Sequence, residues 1–312
     1  MSHPVGSRFL LGDSLQPASK AKYISAVRNF ISWCIENQYS VRTFAVLDEL
    51  VADYIHYLYE MGDGKGKGEA SCLVYGIIKF MPRAKFQLLT AQASLVGWLK
   101  KCPSRSYPPI TWPVAGAVAI HLVRSGLVRC GIAVLLAFDC FLRCGELVAL
   151  RKKDVADNGD HRLGSEYAGM ALRLKKTKTG ANQWVEVDNE AVKFLVRFLV
   201  RSTDKPSDRL FPLTSAQFRA AFKQAVLTMQ LPNYVPHSLR HGGATRWHLL
   251  GHSIEDVMLR GRWSSTKSAR RYVQSGRAML LSLNVPAAVA ASGEVVVDNL
   301  LASFSYALSQ LH

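Results

Sequence analysis

Four side chains in the last quarter of the chain have types and spacings that suit attack on a phosphodiester: His237, Arg240, Trp263 and Tyr272. In the transition state of such a reaction, negative charge gathers on the non-bridging phosphate oxygens, and a planar guanidinium such as Arg240 meets these oxygens with paired hydrogen bonds. His237 lies three residues earlier, so on a helix the two side chains share a face. Trp263 offers an indole N–H donor, and Tyr272 offers a nucleophilic oxygen that neighbouring positive charge must activate.

Each of these residues has a plainer explanation when it is taken singly, because most aromatic side chains and histidines serve packing. A metal site is a further alternative, since spacings of four residues, which suit chelation on one helix face, occur among His237, His241, His248, His252, Cys140 and Cys144. The segment 237–241 lacks the glutamate of a zinc hydrolase motif, and no paired Cys-x-x-Cys motifs support a structural zinc. We therefore expect no metal, and the joint spacing favours phosphodiester chemistry.

The composition allows a sizeable core and points to an anionic partner. The 312 residues are 49% hydrophobic, which favours a chain of two domains. Lysine and arginine number 39 against 23 acidic residues, and the formal net charge of +16 favours nucleic acid as the partner. No apolar stretch reaches the roughly 20 residues of a membrane span, and the N-terminus lacks a secretion signal, so we expect an intracellular protein without a membrane partner. The six cysteines are typical of reduced thiols, and we expect no disulfides.

The first hundred residues predict a small all-helical domain. Helical periodicity begins at Ser19, a possible N-cap, and continues over residues 47–61, 70–81 and 91–100. The glycine-rich loop 62–68 lacks the Gly-Lys-Ser/Thr of a phosphate-binding loop, so we interpret it as a flexible connection whose lysines are either solvated or in contact with a nucleic-acid backbone. Four prolines within 103–113 indicate a stiff linker after this domain.

Beyond the linker the pattern is mainly helical with one hairpin. Helices are predicted over 115–125, 128–150, 191–201 and 215–231, and strand-like residues at 170–174 and 184–187 flank a turn at 179–182. Ser253 and Asp256 predict a capping box for a later helix, and Tyr272 is expected on a further short helix. After an Ala/Val-rich link, residues 295–311 predict a last helix whose apolar stripe needs a partner surface.

With these elements placed, the sequence resembles the tyrosine recombinase, or phage integrase, family. The family signature ends in His-x-x-Arg, then His or Trp, then Tyr nine positions later. Here Trp263 precedes Tyr272 by nine residues, and Arg240 precedes it by 32. The segment 141–150 is similar to the box that carries the family's first arginine. The resemblance thus makes Arg143 the second guanidinium of a phosphate clamp and Glu146 its orienting acid.

The resemblance also implies a general acid. The family carries a lysine on its β-hairpin that protonates the departing 5′ oxygen, and the sequence Thr-Lys-Thr-Gly points to Lys178. Lys175 and Lys176 remain candidates, because sequence does not fix the register of a hairpin. His241 joins Glu146 as a supporting residue. The implied catalytic set is Arg143, Lys178, His237, Arg240, Trp263 and Tyr272.

The fold that the resemblance implies is mainly α with a small β-hairpin or sheet. A helical core-binding domain and an α+β catalytic domain would close on DNA as a C-shaped clamp. The expected order is a flexible N-terminus 1–18, core-binding domain 19–102, Pro-rich linker 103–113, catalytic domain 114–285 and tail helix 286–312. Family members exchange C-terminal helices between protomers, so the tail is expected to dock either in trans or on its own catalytic domain.

The implied activity is site-specific DNA recombination for integration or transposition. Tyr272 would form a 3′-phosphotyrosyl bond that a 5′-hydroxyl reverses, without metal or other cofactor, on double-stranded DNA that carries a homodimer at one site and a homotetramer in the synaptic complex. Gly-Arg-Trp at 261–263 departs from the Leu-Gly-His of many prokaryotic members and is similar to eukaryotic DIRS-like and Crypton-like elements. A nuclear location follows for a eukaryotic host, and a cytoplasmic one otherwise.

Two other functions fit parts of the pattern. One is a non-catalytic DNA-binding relative, against which the complete six-residue set argues. The other is a DNA-relaxing enzyme with the chemistry of type IB topoisomerases, which the short chain and the tail disfavour.

Overall fold

The computed structural model describes residues 15–103, 106–158, 169–177 and 180–309, without the side chain of Lys176. The chain forms two compact units, one up to Arg105 and one from Ser106 onward.

Helices are the only regular elements among the described residues of the first unit. Its elements are α1 Pro17–Glu36, α2 Phe44–Met61, α3 Lys67–Phe80 and α4 Leu89–Lys101, with a 3-10 helix Pro82–Phe86 before the last. Pro17 supplies the φ of a first helical residue, so α1 begins before Ser19, and the prediction of Ser19 as N-cap is wrong. Buried side chains from all four helices form one core, among them Phe30, Val51, Leu73 and Trp98.

The second unit is mainly helical with a small antiparallel sheet, which confirms the predicted fold class. Its helices are α5 Trp112–Arg124, α6 Val128–Asp139, α7 Cys144–Ala149, α8 Glu190–Arg201, α9 Ser215–Thr228, α10 Pro236–Leu249, α11 Ile254–Gly261, α12 Thr266–Arg270, α13 Ser275–Ser282, α14 Ala287–Asp298 and α15 Leu300–Ser309. Its strands, in sheet order, are β1 Val155–Asp157, β2 Met170–Lys176 and β3 Ala181–Val187.

The predicted hairpin is present as β2 and β3, and both strands are longer than the sequence indicates. Leu172 pairs with Val185, and both side chains face the core, as alternation along a strand requires. A third strand, β1, places Val155 opposite Leu172. The sequence did not indicate β1, because three residues are too few to show a period of two.

The helix predicted over 128–150 is broken into α6 and α7, so the prediction of one continuous helix is wrong. Phe141, in the break, adopts a left-handed φ of +50°. Such a conformation costs a bulky residue about 1–3 kcal/mol and persists only where its surroundings require it. Because the residues on both sides remain apolar, the hydrophobic pattern alone did not reveal the break.

The C-terminal tail differs from the prediction in its elements. The expected Ala/Val-rich link is helix α14, and α14 meets α15 at a bend of 107°. Val296, Leu300, Phe304 and Ala307 are buried in the core of the same chain, with Val297 against Gly116 of α5. The tail therefore packs in cis in this single chain. No single helix in the described parts of the chain is long and apolar enough to cross a bilayer, although the bent pair α14 and α15 would be by length and composition alone.

Helix α10 passes close to the end of α6, and glycine permits this approach. A Cβ on Gly243 would overlap the Phe138 carbonyl oxygen and lie 2.7 Å from a ring carbon of Phe141. A backbone oxygen cannot move aside as a flexible side chain can, so any larger residue must push the two helices apart.

We predict that Gly243→Ala destabilises the second unit by about 1–3 kcal/mol or more. Gly276→Ala is the matched control, because Gly276 lies in α13 with open space around its Cβ position. Alanine is the better helix former there, so the control should be neutral or stabilising. Urea unfolding measures both, and equal midpoints for the two variants would contradict the prediction.

Candidate active site

Helix α10 carries two of the predicted site residues. Pro236 opens the helix, and the Ser238 hydroxyl accepts the backbone N–H of Val235 at 3.1 Å. His237 lies in the first turn and is half-buried, whereas Arg240, one turn on, is fully buried. The helix expected for His-x-x-Arg is present, and the guanidinium of Arg240 points into the protein.

Backbone carbonyls hold the Arg240 guanidinium in place. Its Nη1 donates to the carbonyl of Phe141 and its Nη2 to the carbonyl of Gly261. The break between α6 and α7 thus supplies one of these two acceptors. Burial and the nearby charges of Arg143 and Arg262 lower the pKa of Arg240, yet a guanidinium keeps its proton at neutral pH.

Glu146 is the buried carboxylate that joins the arginines. It accepts the backbone N–H of Arg143 at 3.0 Å and the Nη1 of the same residue at 2.5 Å, so Arg143 sits at the N-cap of α7 with its side chain turned back. Its Oε2 also lies 3.8 Å from Nη1 of Arg240 and 3.3 Å from Nη2 of Arg262. Burial acts to raise the pKa of Glu146, but the charge of Arg262, the backbone N–H of Arg143 and the charges of Arg143 and Arg240 outweigh it and lower that pKa. Glu146 stays ionised, and a cluster of three guanidiniums and one carboxylate stays positive.

Tyr272 lies against four of the other predicted residues. Its ring centroid is 4.3 Å from that of Trp263, 4.4 Å from that of His241 and 5.7 Å from that of His237. The Cζ of Arg240 lies 5.5 Å from the same ring. The prediction of a helix at Tyr272 is wrong, because α12 ends at Arg270 and Tyr272 occupies the turn before α13. Ring contacts with Trp263, His241 and His237 therefore position Tyr272, since it does not lie in a helix.

Trp263 packs against both Arg240 and Tyr272. Its ring is 4.6 Å from the Cζ of Arg240, within the range of a cation–π contact. A Cβ on Gly261 would overlap this ring, so glycine allows the indole to fold back over the end of α11. Among the described residues, the buried Nε1 of Trp263 and Nε of Arg240 find no acceptor. Two buried hydrogen-bond donors beside Tyr272 are therefore unsatisfied among the described residues.

His241 is buried and electrically neutral. Its Nδ1 lies 3.1 Å from the side-chain nitrogen of Gln274, which can only donate, so the ring carries its proton on Nε2. Burial and the charges of His237, Arg240 and Arg277 lower the pKa of His241 to about 3. His241 is therefore a hydrogen-bond donor in this site at neutral pH.

The backbone around Tyr272 is fixed by Thr245 of α10. The Thr245 hydroxyl donates to the Tyr272 carbonyl at 3.1 Å and accepts the backbone N–H of Gln274 at 3.1 Å. One buried hydroxyl therefore brackets the residue that the sequence marks as the nucleophile.

The general acid predicted on the hairpin is the one site residue not placed. Lys178 and the side chain of Lys176 lie outside the described residues. Lys175 lies 3.6 Å from the carboxylate of Asp154, which also accepts two hydrogen bonds from Arg173. The assignment of Lys178 stays a prediction.

Sequence reasoning missed several residues that build the site. Arg262 was noted only as a departure from a motif, and its side chain is buried against Glu146. Tyr107 falls within the predicted linker, yet its ring lies 5.0 Å from that of His237. Thr245 and Gln274 carried no signal, because their roles depend on contacts between segments that are distant in sequence.

Comparison with known proteins bears on this arrangement. Residues 120–278 match the model of the phage integrase family. This match covers half of the chain and includes every site residue described above except Tyr107. The chain belongs to the phage integrase family. No curated protein sequence matches it.

Solved structures show the same fold for this phage integrase family member. A lambda integrase dimer bound to a COC′ core site is similar at 14% identity and a TM-score of 0.57, over 86% of this chain and 75% of that chain. The Tn1549 transposon integrase in complex with transposon right end DNA is similar at 14% identity and a TM-score of 0.59, over 86% and 94%. A lambda integrase tetramer bound to a Holliday junction is similar at 14% identity and a TM-score of 0.58, over 86% and 75%.

We predict that His241 makes the stability of the protein depend on pH. The folded-state pKa of about 3 lies below the ordinary 6.5, so the neutral ring stabilises the fold above pH 6.5. That stability is lost as the pH falls from 6.5 towards 3, with a slope on the order of 1 kcal/mol per pH unit.

His241→Asn keeps an acceptor for Gln274 and removes the titration. The free energy of unfolding, measured by urea at pH values from 7 to 4, should fall more steeply for the wild type than for the variant. Titration of the acidic groups affects both proteins equally, so it cancels when the free energy of unfolding of the variant is subtracted from that of the wild type. Parallel curves would contradict the neutral buried state of His241.

Proposed function

We propose that the protein is a site-specific DNA recombinase that cleaves and rejoins DNA through a 3′-phosphotyrosyl bond, for integration or transposition. The observation that carries the proposal is the contact of Tyr272 with Trp263, His241 and Arg240 within one chain. A nucleophile of the weakly acidic phenol type needs positive charge beside it, and this site supplies it.

The arginines and the leftover donors fit a phosphate. Arg143 and Arg240 would bind the non-bridging oxygens, where negative charge grows as the phosphorus becomes pentavalent. The Nε of Arg240 and the Nε1 of Trp263 lack acceptors among the described residues. An unsatisfied buried donor costs about 1–3 kcal/mol, so a phosphate oxygen that accepts from either would be bound in part by relieving that cost.

The proposed proton transfers follow from the tautomer of His241 and from the position of His237 beside Tyr272. In the cleavage step the Tyr272 oxygen forms a bond to phosphorus and the bond from phosphorus to the 5′ oxygen breaks. His237, which is half-buried and 5.7 Å from the tyrosine ring between centroids, would receive the phenolic proton. His241 is less suited to that role because its Nδ1 already accepts from Gln274. Lys178 would protonate the departing 5′ oxygen, and attack by a 5′-hydroxyl reverses the whole step.

The partner in this proposal is double-stranded DNA. The formal net charge of +16 supports a polyanion. The lambda and Tn1549 integrases that share the fold are bound to DNA in their structures, as a dimer and a tetramer in the case of lambda integrase. We propose by extension that this chain binds one site as a dimer, pairs two sites as a tetramer and closes on DNA as a clamp. Gly-Arg-Trp at 261–263 supports a mobile-element recombinase of DIRS-like or Crypton-like type, which would act in the nucleus.

We predict that Tyr272→Phe abolishes covalent protein–DNA adducts and leaves DNA binding near normal, because only the nucleophilic oxygen is lost. The substrate is a nicked duplex whose site has been selected from a random-sequence pool by repeated binding to the protein. Adducts are read on a denaturing gel and binding is read by fluorescence anisotropy.

Tyr234→Phe is the matched control. Tyr234 is buried in the same unit, and its hydroxyl has no partner among the described residues, so its loss should leave adducts unchanged. Adduct formation by Tyr272→Phe would refute the nucleophile. Selective binding without adduct by the wild type would instead support a non-catalytic relative, and relaxation of supercoiled DNA without site selection would support type IB topoisomerase activity.

We predict that Lys178→Ala slows cleavage and that a substrate with sulfur in place of the 5′ leaving oxygen restores the rate. A thiolate leaves without protonation, so it does not need the lysine. Lys175→Ala is the control, because Lys175 pairs with Asp154 and should show no such rescue. Rescue of Lys175→Ala but not of Lys178→Ala would move the general acid to Lys175.

A further inference from the structure

Arg262 is a buried arginine that the proposed reaction does not use. It ends α11 in a left-handed conformation with φ of +56°, which glycine adopts without strain and other residues rarely adopt. Its side chain is 4% exposed. A strained backbone and a buried charge both cost free energy, so contacts made by the guanidinium must compensate for them.

The contacts of Arg262 lead to the other two arginines of the cluster. Its Nη2 donates to the Phe141 carbonyl at 3.1 Å and to Oε2 of Glu146 at 3.3 Å. The Phe141 carbonyl also accepts from Arg240, and Glu146 also accepts from Arg143. Both of these acceptors of the Arg262 Nη2 therefore also bind Arg143 or Arg240.

Contacts of the Nη1 atom fix Arg262 itself. Its Nη1 donates to the carbonyls of Arg260 and Cys140, at 3.0 and 3.3 Å. The guanidinium thus ties the end of α11 to the break between α6 and α7. Its planar fork suits this task, because it donates in several fixed directions at once.

We propose that Arg262 is a positioning residue that holds Glu146 and the Phe141 carbonyl so that Arg143 and Arg240 meet the phosphate in fixed geometry. This inference rests on the proposed function. Arg262 acts through its neighbours and does not itself touch the phosphate.

The charge of Arg262 also matters for Glu146. Among the described residues, the charged groups that face this carboxylate are Arg143 at the start of α7, Arg240 on α10 and Arg262 after α11. Without Arg262, burial would be less opposed and the pKa of Glu146 would rise. Glu146 would then become protonated, and release Arg143, at a higher pH than in the wild type.

The test compares Arg262→Gly and Arg262→Lys with the wild type in single-turnover cleavage of the selected nicked duplex. Glycine accepts the left-handed backbone, so the first variant removes the side chain without new backbone strain. We expect cleavage at saturating DNA to fall about tenfold or more, with the Kd for DNA within about threefold, because support for a preorganised charge is lost but binding surface is not. As the pH is lowered, the cleavage rate of this variant should also begin to fall at a higher pH than the rate of the wild type.

The lysine variant separates charge from geometry. It keeps a positive charge near Glu146 but cannot donate to four acceptors at once. We expect a cleavage rate between those of the wild type and the glycine variant. As the pH is lowered, this rate should begin to fall at the same pH as in the wild type. This variant also carries the test if Arg262→Gly does not fold, and a wild-type rate for it would then overturn the proposal.

Arg260→Gln is the matched control. Arg260 belongs to the same segment, but its side chain donates to the Asp139 carbonyl at 2.9 Å and lies 3.6 Å from the Asp139 carboxylate. Its loss should lower the melting temperature and leave the pH profile of cleavage unchanged. Superimposable rates and pH profiles for Arg262→Gly and the wild type would overturn the proposal, whereas absence of adducts in the wild type would overturn the proposed function on which it rests.

Discussion

The arginine cluster of the second unit depends on one buried carboxylate. Glu146 faces Arg143, Arg240 and Arg262, and it is the charge that allows three guanidiniums to lie together inside the protein. A guanidinium keeps its proton, so burying it without an anion costs free energy, and three buried guanidiniums would repel one another. One carboxylate lowers that repulsion without cancelling it, so the cluster keeps an excess of positive charge.

Backbone geometry lets this cluster form. The left-handed turn at Phe141 ends α6, starts α7 and provides a carbonyl that two arginines share. Gly243 lets α10 approach that turn closely, and Gly261 lets Trp263 fold over the end of α11. Gly243, Gly261 and the strained turn at Phe141 are therefore placed where the charged side chains meet, and the hydrophobic core around them provides the packing that holds the strain.

The histidines divide their tasks by environment. His241 is buried, neutral and fixed by Gln274, whereas His237 is half-buried beside Tyr107 and Tyr272. The same residue type, four positions apart on one helix, thus meets two different dielectric surroundings. The position of Tyr272 follows from these rings and from the Thr245 hydroxyl, since the chain around it is a turn and not a helix.

The sequence by itself determined the residue types and their spacing, the helical character of most segments, the hairpin and the family. These are local or periodic properties, and periodicity is visible in the chain without its fold. It predicted His237 and Arg240 on one helix because the two residues are three positions apart, and the resemblance to the family implied Glu146 as the partner of Arg143. Only the tertiary structure decided the break at Phe141, the turn at Tyr272 and the contacts of Arg262, Thr245 and Gln274. Those depend on contacts between segments far apart in sequence, where strain, burial and shared hydrogen bonds override what each segment prefers alone.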